Sequence, residues 1–254
     1  MKQIIAPFFP KTYWRHFLMI TIVIVSLALI FSRPPFGQNQ NYHNFADQRE
    51  FFNIPNFLDV ASNLAFLFVG IAGLRICFKN YPGSMHNAWI VLFAGITLIS
   101  AGSAHYHLEP SNQTLVWDRL PMTIGFIGLL IAILGEYINE NFGWLILPAL
   151  LLGFYSVIYW HWFDDLRFYI WVQSISLLII PVVMTLYRAR YSHQWMLLLA
   201  LFFYALAKIA ELNDEKIFVL SREVISGHTI KHLLAAAGCL IIVLMIQKRE
   251  LLKR

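Results

Sequence analysis

Long apolar blocks alternate with short polar stretches along the whole chain, and each block is long enough for a membrane helix. A helix needs about 20 apolar residues to cross the hydrocarbon core of a bilayer. The pattern predicts eight spans, over about 13–32, 57–77, 87–106, 119–138, 142–161, 167–187, 194–212 and 225–246. Short loops join the last seven spans, which favours antiparallel packing of neighbours. The predicted fold is an all-α, polytopic membrane helical bundle, with a seven-helix core and one extra N-terminal transmembrane helix.

The first span differs from the others because the basic stretch MKQIIAPFFPKTYWRH leads into it and a polar segment follows it. No small-residue cleavage site follows LALIFSRPPFG, so we interpret this span as an uncleaved signal anchor. The segment 33–56 contains Pro34, Pro35, Gly37 and a Gln/Asn run, which is typical of a linker. The sequence therefore predicts two units: residues 1–55 hold the anchor helix and the polar connection, and residues 56–254 form the seven-helix domain.

Composition and charge support a membrane protein. The chain is 59% hydrophobic and 13% charged, whereas soluble domains are about 25% charged. The net charge of +5 would suggest nucleic acid for a soluble domain, but here we attribute it to Lys and Arg in cytoplasmic loops and expect no nucleic-acid partner. With the N-terminus inside, eleven of the nineteen Lys and Arg residues fall on the inner side. This bias predicts a multi-pass protein of the plasma or cytoplasmic membrane with both termini in the cytoplasm.

Five polar residues at membrane depth stand out, because such residues are costly in a bilayer and mark functional sites. Ser103 and His107 share one face of the third span, and His228 and His232 share one face of the eighth. Asp118, in VWDRLPMTIGF, lies at the predicted entrance of the fourth span. The third span ends on the side where the fourth and the eighth begin. All five residues are therefore expected near one membrane surface, the outer one by the charge count.

Three imidazoles and a carboxylate at one depth indicate a catalytic metal site. Neutral histidine nitrogens bind Zn²⁺ at about 2.0–2.1 Å, and three protein ligands leave a fourth position for water. Zinc lowers the pKa of a bound water to about 7. We therefore predict His107, His228 and His232 as metal ligands. Asp118 is expected to take and return a proton, and the Ser103 hydroxyl to stabilise an oxyanion.

Structural interpretations of the same residues stay open at this point. Interhelical hydrogen bonds would account for His228 and His232, and close packing of the small residues in AGSA would account for Ser103. Asp118 also suits the N-cap of the fourth helix. Four further acidic residues near the same surface receive no metal role: a solvated turn is expected for Asp164 and Asp165, and Glu211 and Asp214 are left unassigned.

Taken together, the motifs resemble the alkaline ceramidase family, which belongs to a larger group of seven-helix membrane hydrolases and progestin/adiponectin-type receptors. The matching elements are Ser103, then His107, then Asp118, then HTIKH at the start of the last helix. The segment IPNFLDVASNLAFLFVGIAGL also resembles the first core helix of the family, with its SN pair at Ser62 and Asn63. The resemblance covers about residues 56–246.

The resemblance implies a zinc amidase that cleaves a ceramide-like lipid into a sphingoid base and a free fatty acid, with the lipid reaching the site sideways from the bilayer. It assigns zinc to His107, His228 and His232, activation of water to Asp118, and support of the oxyanion to Ser103.

The sequence matches the calcium site of the family only in part, and the class of lipid bond that is cleaved stays open. Eukaryotic members bind Ca²⁺ through residues before the first core helix; Asp47 and Asn56 match in part, but the acidic residue expected near Asn56 is missing. Zinc chemistry serves esters as well as amides, so an ester-lipid hydrolase is one alternative. A receptor-like protein with a structural zinc is another. A transporter would want charges in both membrane halves, whereas the polar groups here lie on one side.

Overall fold

A computed structural model of the protein describes residues 13–80 and 83–253 and consists of α-helices and connecting segments. The helices of this described part are α1 Tyr13–Phe31, α2 Phe57–Ser62, α3 Leu64–Asn80, α4 His86–Leu108, α5 Asn112–Tyr137, α6 Ile146–Phe163, α7 Arg167–Leu186, α8 Met196–Leu212, α9 Asp214–Leu220 and α10 Gly227–Lys248. Short 3-10 helices cover Gln40–His43 and Glu140–Leu145. Within the described residues, β pairing is limited to two isolated bridges. The predicted all-α class is confirmed.

The helices fit a multi-pass membrane protein. Seven spans in the described part are long and apolar enough to cross a bilayer, with α2 and α3 together forming one of them. The pair α8 and α9 makes an eighth span only if the two are combined, because an 81° bend separates them. Three of the cations in the orientation count, Lys2, Lys11 and Arg254, lie outside the described residues.

The central helix of the bundle is α5, which packs against α4, α6 and α7 and has most of its side chains buried. The helix α4 lies very close to it: a Cβ atom added to Gly102 would lie 2.1 Å from the carbonyl oxygen of Trp117. Small residues allow such close approach of membrane helices. The helix α10 packs against α8 and α3, and α1 packs against α7. The C-terminal end of α4 consequently lies beside the first turns of α5 and α10.

Two N-caps determine where the site-bearing helices begin. Ser111 caps α5 by accepting the Thr114 N–H at 3.2 Å, and the Thr114 hydroxyl accepts the Ser111 N–H at 3.1 Å. Ser226 caps α10 by accepting the Thr229 N–H at 3.0 Å. The helix α5 thus begins at residue 112 and not at the predicted 119, and Asp118 lies well inside it. The interpretation of Asp118 as the N-cap is wrong, because Ser111 holds that position.

The polar residues 33–56, called the cover segment below, pack across one end of the bundle. The Gln38 N–H donates to Asp164 Oδ1 at 3.0 Å, and the Ala46 N–H donates to Asp214 Oδ2 at 2.9 Å. Phe45 within this segment is buried. The stretch that resembles a linker in the sequence is thus fixed by these contacts to the ends of α6 and α9.

The Asp164–Asp165 turn also differs from the sequence prediction, because Asp165 is buried. Arg167 donates Nη2–H to Asp165 Oδ2 at 2.7 Å and Nη1–H to the carbonyl oxygen of Arg33 at 2.7 Å. The Arg167 guanidinium holds the pKa of Asp165 below its usual range through these hydrogen bonds. The prediction of a solvated turn is therefore wrong for Asp165, whereas Asp164 is exposed and still holds the Gln38 N–H.

Candidate metal centre

The three predicted histidine ligands come together in one buried cluster. His107 is 1% exposed, and His228 and His232 are each 3% exposed. One ring nitrogen from each residue lies within 4.8 Å of the other two. The ring centroids are 4.8 Å apart for His107 and His228, 5.0 Å for His107 and His232, and 4.9 Å for His228 and His232. We call these residues the histidine trio.

Two helix ends position the trio. His107 lies in the last turn of α4, where its carbonyl oxygen accepts the Asn56 side-chain N–H at 2.8 Å. His228 and His232 lie one turn apart in the first turns of α10, so they project from the same face. The His228 N–H, one of the free donors of a helix start, donates to Asp214 Oδ1 at 2.7 Å.

A relay of hydrogen bonds from α2 orients His232. The Ser62 hydroxyl donates to the Asp59 carbonyl oxygen at 3.0 Å, and the Ser62 oxygen lies 2.7 Å from His232 Nδ1. With its proton given to Asp59, the Ser62 oxygen accepts Nδ1–H of His232, which leaves the Nε2 lone pair free. Ligating histidines are commonly held by a partner on the other ring nitrogen in this way. Ser62 belongs to the SN pair on which the resemblance to the alkaline ceramidase family partly rests.

The donor set fits a bound divalent transition-metal ion. Three imidazoles in a buried pocket suit such an ion, because neutral imidazole is a good ligand for zinc, copper, iron and nickel. The Nδ1 atom of His107 is buried and has no hydrogen-bond partner in the described structure. A buried polar atom without a partner is unusual and calls for an explanation. The trio is the one group of three or more His, Cys, Asp or Glu side chains with metal-site spacing among the described residues.

An apolar cavity of about 300 Å³ adjoins the trio. Its wall comes mainly from apolar side chains of α4, α5, α7, α8 and α10, among them Leu92, Ile96 and Leu197. Its polar lining includes Ser103, Asp118, His232 and four further charged side chains. A mostly apolar pocket with a few convergent polar groups is the usual form of a small-molecule site.

Both predicted catalytic side chains face this cavity. Ser103 lies one turn before His107 on α4 and is buried, and its side chain interacts with that of Asp118 on α5. Asp118 is also buried. The structure thus places Ser103 and Asp118 in the cavity wall that His232 also lines. Helix packing explains part of the small-residue pattern near Ser103, but the hydroxyl itself is directed at a polar partner.

The cover segment packs directly against the trio. The Phe45 ring centroid lies 4.6 Å from those of both His107 and His228. Next to it, His43 Nδ1 lies 2.9 Å from the Tyr106 hydroxyl. Sequence reasoning missed Phe45 because the segment resembled a linker; the aromatic residue in HNFAD was the available signal.

A second omission concerns Lys231, which lies between the two histidines of HTIKH. Its Nζ atom is 2.7 Å from Glu211 Oε1 and 3.2 Å from His228 Nε2. Glu211 Oε1 also accepts the Tyr42 hydroxyl at 3.1 Å. Burial raises the pKa of Tyr42, so the phenol stays a neutral donor. In the sequence Lys231 counted only towards the charge bias. A lysine inside a predicted membrane helix is nevertheless a signal of a functional site.

The residues named for calcium make other contacts. Arg49 donates Nε–H to Asp47 Oδ1 and Nη2–H to Asp47 Oδ2, each at 2.7 Å. The Asn56 side-chain amide is directed at the His107 carbonyl oxygen. Asp47 is thus neutralised by Arg49, and Asn56 supports the histidine trio. The partial match to a calcium site gains no support from this arrangement.

Comparison of the chain with models of protein families, with curated proteins and with solved structures finds no match. The expected relation to alkaline ceramidases therefore depends on the motif residues, whose geometry is described above.

Proposed function

We propose that this protein is a zinc-dependent integral-membrane lipid amidohydrolase that resembles alkaline ceramidase. Its reaction is cleavage of the amide of a ceramide-like lipid to a sphingoid base and a free fatty acid. The observation that carries this proposal is the histidine trio at the end of an apolar cavity whose wall also holds Ser103 and Asp118.

Zinc is the proposed metal because its sites in hydrolases combine three protein ligands with an open position. His107, His228 and His232 would hold it through one ring nitrogen each. When bound, the ion supplies Lewis acidity, which polarises a carbonyl and lowers the pKa of a coordinated water to about 7.

The remaining chemistry belongs to side chains of the cavity. The apolar wall holds the acyl chain, and the amide carbonyl lies beside the trio. Asp118 takes a proton from the attacking water and delivers it to the amine nitrogen as the C–N bond breaks. The Ser103 hydroxyl donates to the oxygen that becomes negative in the transition state. The fatty acid and the sphingoid base then leave towards the bilayer.

The proposed membrane topology follows from the larger number of Lys and Arg residues on the predicted inner side. Both termini lie in the cytoplasm, and the trio lies near the outer face of a plasma or cytoplasmic membrane. Residues 56–254 form the seven-helix hydrolase domain, and α1 within residues 1–55 is an additional membrane anchor that packs on α7. The lipid reaches the cavity between helices, directly from the bilayer.

Metal analysis and lipid turnover on purified variants test the proposal. We expect one zinc ion per chain in the wild type, and loss of both zinc and turnover in His107→Ala. His105→Ala is the matched control, because its exposed ring lies two residues away on the same helix and outside the trio. Full zinc content in a folded His107→Ala protein would disprove the metal site.

Asp118→Asn separates a hydrolase from a receptor with a structural zinc. This variant should keep its zinc and lose turnover by about 100-fold or more, since general acid–base catalysis contributes about 10²–10⁴-fold. Mass spectrometry of lipids released from matched amide and ester substrates identifies the bond that is cleaved. Unchanged turnover in Asp118→Asn would remove its assigned role, and release from the ester alone would replace the amidase with an esterase.

A further inference from the structure

The polar end of the cavity carries more charge than the proposed hydrolysis requires. Its wall contains five charged side chains, Asp118, Arg119, Lys208, Glu211 and Lys231. Three cations face two carboxylates, so the wall has one net positive charge before any metal is counted. Net charge at membrane depth is costly. An anionic group on the ligand would lower this cost.

Lys231 is placed to meet such a group. Its ammonium is held on one side by Glu211 at 2.7 Å and contacts His228 Nε2 at 3.2 Å. Its side chain is 16% exposed and forms part of the cavity wall. The charge is therefore fixed in position beside the trio and stays reachable from the cavity.

The other two cations have different surroundings. The Arg119 guanidinium lies 3.8 Å from the Trp160 ring centroid and 4.7 Å from that of Tyr169, and it donates to Gln38 Oε1. Two aromatic rings and the Gln38 side chain thus contact this guanidinium. Lys208 shares Glu211 with Lys231, but its side chain is 47% exposed. Of the three, Lys231 combines burial, a fixed ammonium and contact with the trio.

We propose that Lys231 binds a negatively charged oxygen group of an acyl lipid. This group is either an anionic head group next to the amide or the carboxylate of the fatty acid that hydrolysis releases. The inference rests on the proposed function in taking the cavity as the lipid site. A hydrogen bond from an ammonium to an anionic oxygen is about twice as strong as a neutral one, and the low-dielectric surroundings strengthen it further.

Binding of uncleavable ligands gives the direct test. Palmitic acid and hexadecanol have the same chain and differ in charge, so both are titrated against the full-length purified protein in neutral detergent at mildly alkaline pH. Wild type should prefer the acid by about tenfold, the value of one charged hydrogen bond. Lys231→Met should abolish the preference. Lys208→Met is the matched control, with the same charge change and the same carboxylate partner, and should keep it.

A double variant separates a binding site from net charge. Lys231→Met combined with Glu211→Gln removes the ion pair and leaves the net charge of the wall as in the wild type. In the single variant Glu211 keeps Lys208 and Tyr42 as partners, and the double variant tests whether the remaining carboxylate itself affects acid binding. The proposal expects the acid preference to stay lost. Its return in the double variant, or an equal loss in Lys208→Met, would overturn the proposal.

Turnover then identifies the source of the anion. N-palmitoylglycine and N-palmitoylethanolamine are amide lipids that differ in a carboxylate against a hydroxyl. A preference for the glycine lipid that Lys231→Met removes assigns Lys231 to the head group. Equal turnover of the two lipids, with acid binding still dependent on Lys231, assigns it to the released carboxylate. Absence of turnover would count against the hydrolase alone, whereas equal wild-type binding of palmitic acid and hexadecanol would overturn the role of Lys231.

Discussion

His232 owes its ring orientation to Ser62, a hydroxyl on a different helix. Loss of this partner removes one of the two contacts, with the Ser62 hydroxyl and the Asp59 backbone, that orient the ring. We expect Ser62→Ala to weaken zinc binding by about tenfold, the lower end for partners of ligating histidines. Competition with a fluorescent chelator measures the affinity. Ser100→Ala is the control, since the Ser100 hydroxyl bonds only to its own helix at Thr97 in the described contacts. Equal affinities of the two variants would contradict the orienting role.

Asp165 gives a prediction for the dependence of stability on pH. Its folded-state pKa is lowered by Arg167, so its contribution is present above the unfolded-state pKa of about 3.9 and is lost as pH falls through the lower folded-state value. The thermal midpoint of Asp165→Asn should therefore lie below that of wild type by a constant amount between about pH 5 and 8, and the gap should close in stronger acid. A difference between the two thermal midpoints that widened below about pH 4 would contradict the predicted contribution of Asp165.

The sequence alone predicted the histidine trio, but it did not predict the side chains that orient these histidines or contact them. Two features of the sequence predicted the trio. They are the spacing of His228 and His232 and the expected position of three helix ends on one side of the membrane. Ser62 was noted only for its likeness to a family motif, and the contacts of Lys231 depend on how α8 packs on α10. Such partners come from distant parts of the chain, and no local pattern relates them.

At the scale of elements, apolar patterning located the helices well but not their ends. The first turn of α5, Asn112–Gln113–Thr114, is polar and invisible to a hydropathy window, although Ser111 and Thr114 form a recognisable capping pair. The short helix α9 also escaped prediction, because the seventh predicted span ended at residue 212, where α8 ends, and the next span began only at 225. The 81° bend between α8 and α9 matters for the site, since it carries Asp214 to the first turn of α10.

The cover segment is the element most open to a direct test. Phe45 is buried and its ring packs against His107 and His228 of the histidine trio. Phe45→Ala should lower stability by about 3 kcal/mol, as for other buried phenylalanines, and should speed loss of zinc to a chelator. Phe52→Ala is a matched control in the same segment, because its side chain is 88% exposed. Unchanged zinc release in Phe45→Ala would show that the segment does not close the site.

For the whole molecule, the loop contacts fall into two separate groups. At the end that holds the trio, the cover segment contacts Asp164 and Asp214. At the other end, Ser192 N–H donates to the Glu250 carbonyl oxygen, and Arg190 pairs with Glu140. The side predicted for each loop from the order of spans agrees with this division. The charge bias predicts that the group holding Arg190 and Glu250 faces the cytoplasm.

The predicted orientation rests on the distribution of Lys and Arg and is open to a direct test. Eight cations were counted on the outer side, but Arg119, Lys208 and Lys231 line the cavity and are not loop charges. Among the eleven on the inner side, Arg249 is buried in an ion pair with Glu136. Since Lys and Arg in loops are retained in the cytoplasm, a fluorescent protein fused after Arg254 in bacterial cells should fluoresce, and alkaline phosphatase fused there should be inactive. Fusions of the same reporters after Phe163, at the end that holds the trio, should give the opposite pair of results. Active phosphatase at the C-terminus would invert the topology and place the histidine trio at the cytoplasmic face.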